Sequence, residues 1–159
     1  MCEDNNITIR QATADDCRAV YSLICDMEAK TLPYDIFSDI FNCQLADNRH
    51  SCLVYEDKGI TKGCINIRTE RQLHHAASIC EIMELAVDGS CRSQGISRRL
   101  FNAACTEAKR RGCVQIEVCC NRLRQRAHKF YQTCGMHNFY YKFSLDFSNP
   151  SNGENRLGR

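Results

Sequence analysis

The sequence has no apolar run of about 18 residues, so it offers no candidate membrane-spanning helix. No apolar stretch follows Met1, and no secretory signal is expected there. Net charge is small: 21 Lys and Arg against 19 Asp and Glu give +2, too little basic excess for a dedicated nucleic-acid binder. No C-x-x-C pair occurs, which removes the usual zinc-knuckle spacing. A Walker loop and a G-x-G-x-x-G dinucleotide fingerprint are also missing. What is abundant is cysteine, with 13 residues. Their number is odd, and Cys25, Cys64, Cys105 and Cys119 lie in apolar runs where a free thiol packs as a small hydrophobe. Reduced thiols in the cytoplasm are expected rather than a disulfide scaffold.

At 159 residues, with 43% hydrophobic and 25% charged side chains, the chain has the size and composition of one globular domain. Residues 7–10 alternate as a short strand, and Thr13 followed by Asp15 and Asp16 marks a helix start. Val20, Leu23, Ile24 and Met27 form a helical stripe, and Ile36, Phe37, Ile40 and Phe41 suggest a second helix after Pro33. Residues 51–55 and 63–68 read as a hairpin about a turn at 56–59. A third strand covers 78–87, a helix starts at Ile96 and stops at Gly112, and a strand covers 114–120. A helix over 124–133 and a final strand over 139–147 follow. The order predicts one α/β domain, residues 1–147, with a mixed, mostly antiparallel sheet and about four helices. The polar tail, 148–159, is expected to be disordered.

The loop Arg92-Ser93-Gln94-Gly95-Ile96-Ser97 stands where a strand hands over to a helix. Backbone N–H groups at such a helix start attract anions, and small residues at 93, 95 and 97 let a phosphate approach the main chain. Between Arg92 and Lys129 stand ten Lys and Arg against two acids, Glu107 and Glu117. That imbalance fits either a solvated helix face or a site for a polyanionic ligand.

These residues resemble the signature of the Gcn5-related N-acetyltransferase superfamily, over about residues 7–147. The superfamily has a strand ending in an apolar triplet, then R/Q-x-x-G-x-G/A opening a helix. Here Leu85-Ala86-Val87 precedes Arg92-x-x-Gly95-x-Ser97, and Asn121 stands before His128-Lys129-Phe130-Tyr131 and Gly135. Val20 to Cys25, Leu73-His74-His75 ahead of Glu81-Ile82-Met83-Glu84, and residues 121–131 are similar to the aminoalkylphosphonate N-acetyltransferases. Ser93 and Ser97 depart from glycines common in the loop, and the cysteine-rich strands and the tail are not family features.

The resemblance implies acetyl-CoA as cosubstrate. Its pyrophosphate would lie on the amides of Gln94, Gly95, Ile96 and Ser97, with Arg92, Ser93 and Asn121 also at the cofactor, and its pantetheine arm would run beside Leu85, Ala86 and Val87. It implies direct attack by a small primary amine, so no cysteine is needed as nucleophile. By position Glu81 matches a general base, with Glu84 as fallback, and Tyr131 matches the acid that protonates the thiolate. Glu81 and Glu84 lie three apart, so a regular strand would put them on opposite faces unless a bulge intervenes. His74, His75 and Arg68 are candidates to bind a phosphonate. A divalent ion held by the histidines with a carboxylate is also raised, with no metal ligand set defined by the sequence. Other amine acceptors (polyamine, amino acid, aminoglycoside or protein N-terminus) and a non-catalytic acetyl-CoA-binding module are the alternatives, and a homodimer is compatible with the family.

Overall fold

The computed structural model describes residues 6–148. The chain forms two compact units, Met1–Val118 and Cys119–Arg159. In the first, five strands pair in sequence order: β1 (Ile7–Gln11), β2 (His50–Asp57), β3 (Ile60–Gln72), β4 (Ala77–Val87) and β5 (Cys113–Val118). All neighbours are antiparallel except β4 and β5, which run parallel through the crossover helix α3 (Ile96–Arg110). The hairpin between β2 and β3 turns at Lys58 and Gly59, within the turn expected from the Asp and Gly there.

Alternation along the strands assigns the two faces. Cys52, Val54, Cys64 and Ala86 pack with Cys17, Val20 and Ile24 of α1 (Cys17–Glu28) and with Phe41 of α2 (Tyr34–Ala46). The opposite face, with Ile65, Ile67 and Ile82, is covered by α3 through Leu100 and Ala104, both fully buried. Gly63 sits at this contact. A Cβ there would lie 3.0 Å from Leu100 Cδ1 and 3.1 Å from Ile96 Cγ2, so the absence of a side chain sets how closely α3 approaches β3.

The twelve cysteines among the described residues are free thiols. Burial pushes Cys52 and Cys80 up to about 12 and Cys64 well above its ordinary value, so these thiols stay protonated and serve as core packing.

The second unit contains, among the described residues, one helix, α4 (Gln125–Thr133), opened by an Asn121 turn: Asn121 Oδ1 accepts from Leu123 N–H at 2.9 Å. The strand expected over 139–147 does not form. Apolar residues do alternate there, at Phe139, Tyr141, Phe143, Leu145 and Phe147, but all are exposed, and the described residues of the unit include no other strand to complete a ladder. Period-two hydrophobicity is necessary for a half-buried strand but not sufficient, because the backbone groups need an edge to pair with. Of the tail expected from residue 148, only Ser148 lies within the described residues.

Candidate active site

The site is organised by an irregularity in β4. Asn66 of β3 pairs with Glu84, but the next residue, Ile67, pairs with Ile82, leaving Met83 as an extra residue on β4. This bulge shifts the alternation by one, so Glu81 and Glu84 come to the same face. Both point to the α1/α2 side: Glu81 faces Arg68, Glu84 faces Asn66, and Asn66 and Arg68 are two apart on β3. The opposite faces expected of a regular strand are therefore not found: a bulge intervenes, and both carboxylates reach one face.

Two polar rows cross this face. In the first, His50, Arg68, Glu81 and Glu117 stand on successive strands. Arg68 Nη2 donates to Glu81 Oε2 at 3.0 Å and lies 3.3 Å from Glu70 Oε2. One guanidinium is thus shared by two carboxylates, and it orients Glu81 more than it offers a free positive charge. At the end of the row His75 Nε2 lies 4.0 Å from Glu117 Oε1. In the second row Asn66 Nδ2 donates to both Glu84 Oε2 and Gln44 Oε1, at 2.8 Å each. Burial pushes the Glu84 carboxyl above its ordinary value, against the downward pull of the Asn66 hydrogen bond.

Of the residues singled out in the sequence, Arg68, His75, Glu81 and Glu84 are brought onto or beside this face. His74 is exposed on the short turn Leu73–His75, its ring 4.3 Å from that of His75. Asn66 and His50 went unnoticed in the sequence, and Glu117 was counted there only as a charge. Asn66 and Glu117 carried a signal, as polar residues in otherwise apolar strand segments; His50 carried none. Among the described residues no three His, Cys, Asp or Glu gather as a metal-binding group, so the donor set does not fit the divalent ion that the resemblance raised.

The end of β4 has a second feature. β5 pairs with β4 only from Ser78 to Ile82, whereas β3 stays paired through Val87. The edge of Leu85, Ala86 and Val87 away from β3 therefore has no strand partner among the described residues, and its amides and carbonyls are available to an extended ligand. Beyond it, Asp88 Oδ1 accepts from the Ser90 amide and hydroxyl at 2.9 and 2.8 Å, and Lys62 reaches Asp88 at 3.2 Å. These contacts hold the Asp88 carboxyl down at about 2.

Arg92, Ser93 and Gln94 are exposed, and Gly95 opens α3 with φ +79°, a conformation that favours glycine. Ser93 also takes a positive φ, 64°, which explains why glycine suits that position. The first turn of α3 has no side-chain cap and no acidic residue, so the amides of Ile96 and Ser97 and the positive end of the helix face outward uncompensated. Ile96 itself is buried and anchors the loop.

In the second unit, Tyr131 of α4 is half-buried, and burial pushes its phenol up to about 12. Its ring meets Phe130 edge-on at 5.2 Å. Asn121 organises the turn into α4, its carbonyl oxygen also lying 2.8 Å from His128 Nε2.

A bulged central strand, a free strand edge and an uncapped helix start in sequence suit an extended ligand that ends in phosphates. The acetyltransferase (GNAT) family profile matches residues 14–136. The chain belongs to this family. Among curated relatives of this GNAT chain is the aminoalkylphosphonate N-acetyltransferase of Salmonella typhimurium, 36% identical over 137 residues, which are 86% of this chain and 88% of the relative. Solved structures share the fold. The aminoglycoside N-acetyltransferase AAC(6')-Iy in complex with CoA superposes with a TM-score of 0.82 at 13% identity, covering 92% of this chain and 97% of that one. Glucosamine-6-phosphate N-acetyltransferase from Arabidopsis thaliana gives 0.74 at 19% identity, covering 89% and 98%. A transcriptional regulator from Bacillus halodurans gives 0.81 at 22% identity, covering 89% and 99%, so the fold alone does not specify the acceptor. This GNAT enzyme is an N-acetyltransferase; no helix among the described residues is long and apolar enough to cross a membrane.

Proposed function

We propose that the protein transfers the acetyl group of acetyl-CoA to the amino group of a small aminoalkylphosphonate in the cytoplasm. The observation that carries this reading is the identity of 36%, over most of both chains, to a relative with that named activity. The pantetheine arm pairs with the free edge at Leu85, Ala86 and Val87, and the pyrophosphate lies on the amides of Gln94 to Ser97, flanked by Arg92 and Ser93. Asn121 completes the cofactor contacts.

An aliphatic ammonium must lose a proton before it can attack, since its pKa is near about 10. Glu81 takes that proton, held in orientation by Arg68. The free amine attacks the thioester carbonyl, forming the N–C bond. As the C–S bond breaks, Tyr131 gives its phenol proton to the departing sulfur, and the surplus proton on the new amide nitrogen restores the phenol. His74, His75 and Arg68 line the phosphonate end of the acceptor site, Arg68 also holding Glu81.

A second reading keeps the chemistry and changes the acceptor. Glu70 and Glu81 already balance Arg68, and Glu84 and Glu117 share its face, which favours a more cationic amine such as a polyamine. The test is turnover of acetyl-CoA with aminomethylphosphonate, 2-aminoethylphosphonate, spermidine and peptides, followed by mass detection of the acetylated product, because the protein carries 13 cysteines of its own. Acetylation confined to the phosphonates supports the first reading. Preference for spermidine replaces it with the second, and acetyl-CoA binding without turnover of any amine leaves a binding module.

A further inference from the structure

The parallel ladder of β4 and β5 ends with two pairs, Glu81 with Glu117 and Ile82 with Val118. Partners in register project to the same face, so the two carboxylates stand side by side where the strands separate. The free edge at Leu85, Ala86 and Val87 begins just beyond. A pantetheine arm laid on that edge, with its pyrophosphate on the helix start after Val87, directs its thioester end back towards this point. Glu81 is already placed there as the base, whereas the reaction as described gives Glu117 no task.

Glu117 differs from Glu81 in what holds it. Arg68 meets Glu81 at 3.0 Å, but no Lys or Arg among the described residues forms an ion pair with Glu117. Both contacts of Glu117 fall on one oxygen. Gln115 Nε2 donates to Oε1, and His75 Nε2 lies 4.0 Å from the same atom. Oε2 has no partner among the described residues, and 36% of the side chain is exposed, so the group is open to a ligand. The neutral Gln115 amide thus directs the carboxylate without cancelling its charge, and an oxygen of that kind attracts an ammonium group.

We propose that Glu117 positions the acceptor: its Oε2 takes one N–H of the substrate's ammonium group and holds the nitrogen beside Glu81. The proposal deepens the acceptor reading above and rests on it. An aliphatic amine reaches the site at neutral pH as a cation, and Glu117 binds it in that abundant form. Glu81 then removes a second N–H proton, and the hydrogen bond that remains to Glu117 keeps the neutral nitrogen at the thioester until it attacks. Glu117 thereby selects for the amine, and Glu81 activates it.

The substitution that tests this is Glu117→Gln, which keeps the size of the side chain and removes its charge. The acceptor KM should rise by roughly tenfold or more, the loss of one hydrogen bond to a charged group, and by a larger factor than kcat falls. Glu81→Gln should show the opposite split. The acetyl-CoA KM should stay within about twofold, and Glu117→Asp, which retains the charge, should recover part of the acceptor affinity. A side chain needed only for the fold would give neither the split nor the recovery.

Binding is read separately by NMR of the unaltered protein saturated with CoA. Ethylammonium chloride should shift the side-chain amide of Gln115 saturably, sodium chloride at equal concentration should leave it in place, and Glu117→Gln should abolish the response. An unchanged acceptor KM in Glu117→Gln, or a Gln115 shift that is absent or survives the substitution, overturns the role of Glu117. A Gln115 shift that depends on Glu117, without acetylation of any amine, would sink the proposed reaction and spare the ammonium contact. Acetylation with an acceptor KM indifferent to Glu117→Gln would do the reverse.

Discussion

Replacing Gly63 by Ala tests how the sheet positions the cofactor loop. The added Cβ would meet Leu100 Cδ1 at 3.0 Å, Ile96 Cγ2 at 3.1 Å and the Ala86 carbonyl at 3.2 Å. Leu100 is fully buried and Ile96 nearly so, so neither can swing away, and the third contact is backbone. Relief requires α3 to move off β3. Overpacking of this kind costs about 1–3 kcal/mol. Ala recovers about 0.5–1 kcal/mol of that, because it loses less backbone entropy than Gly on folding. The net expectation is a loss centred near about 1 kcal/mol, or about 2–4 °C in melting temperature for a chain of this size. Since Ile96 begins α3, the displacement also moves the helix start proposed to hold the cofactor phosphates, and the KM for acetyl-CoA should rise more than that for the amine. Thermal unfolding followed by circular dichroism, with steady-state kinetics in both substrates, gives both numbers. A Gly63→Ala protein that melts at or above the wild-type temperature with an unchanged acetyl-CoA KM would refute the claim that this contact sets the helix position.

Four further outcomes are expected. Glu81→Gln should lower kcat by about 10²-fold or more, the usual contribution of a positioned base, with the acetyl-CoA KM little changed; an active Gln variant would move the base to Glu84. Glu84→Gln should stabilise the fold at pH 7. The folded Glu84 carboxyl has a raised pKa, so its ionisation costs stability as pH rises above the ordinary carboxylate range, and the gain should vanish in denaturant melts below about pH 4.5, where the unfolded carboxyl is protonated as well. Tyr131, at about 12, should remain protonated through pH 10, so an alkaline fall in kcat centred below about pH 10 that disappears in Tyr131→Phe would contradict the raised phenol pKa. Glu107→Gln should destabilise at neutral pH, because Arg110 and Arg111 hold that carboxyl down at about 2; the difference should be present above about pH 4.5 and fade as pH falls towards about 2.

Much of the architecture is local and was legible from the chain. Helical stripes at Val20, Ile24 and Leu100, the turn before β3 and the small-residue loop at 93–97 are short-range patterns, and the structure places them in α1, α3, the β2–β3 hairpin and the start of α3. The family signature is equally local, which is why the resemblance carried by Leu85 to Ser97 was visible in the sequence and implied a cofactor segment there. The strand over 139–147 shows the limit: its alternation is clear in the sequence, yet pairing depends on an edge that the alternation does not supply.

The chain's own sequence determined the helices, the turns, the order of the strands, the acetyltransferase signature and a pair of carboxylates three apart. Only the tertiary structure decided that both carboxylates share a face, because the extra residue at Met83 exists only relative to the pairing of β3 with β4. The same holds for Arg68 divided between Glu70 and Glu81 and for Glu117 beside Glu81. Each depends on the register of residues distant in the chain, and register is set by the packing of whole faces rather than by any local pattern.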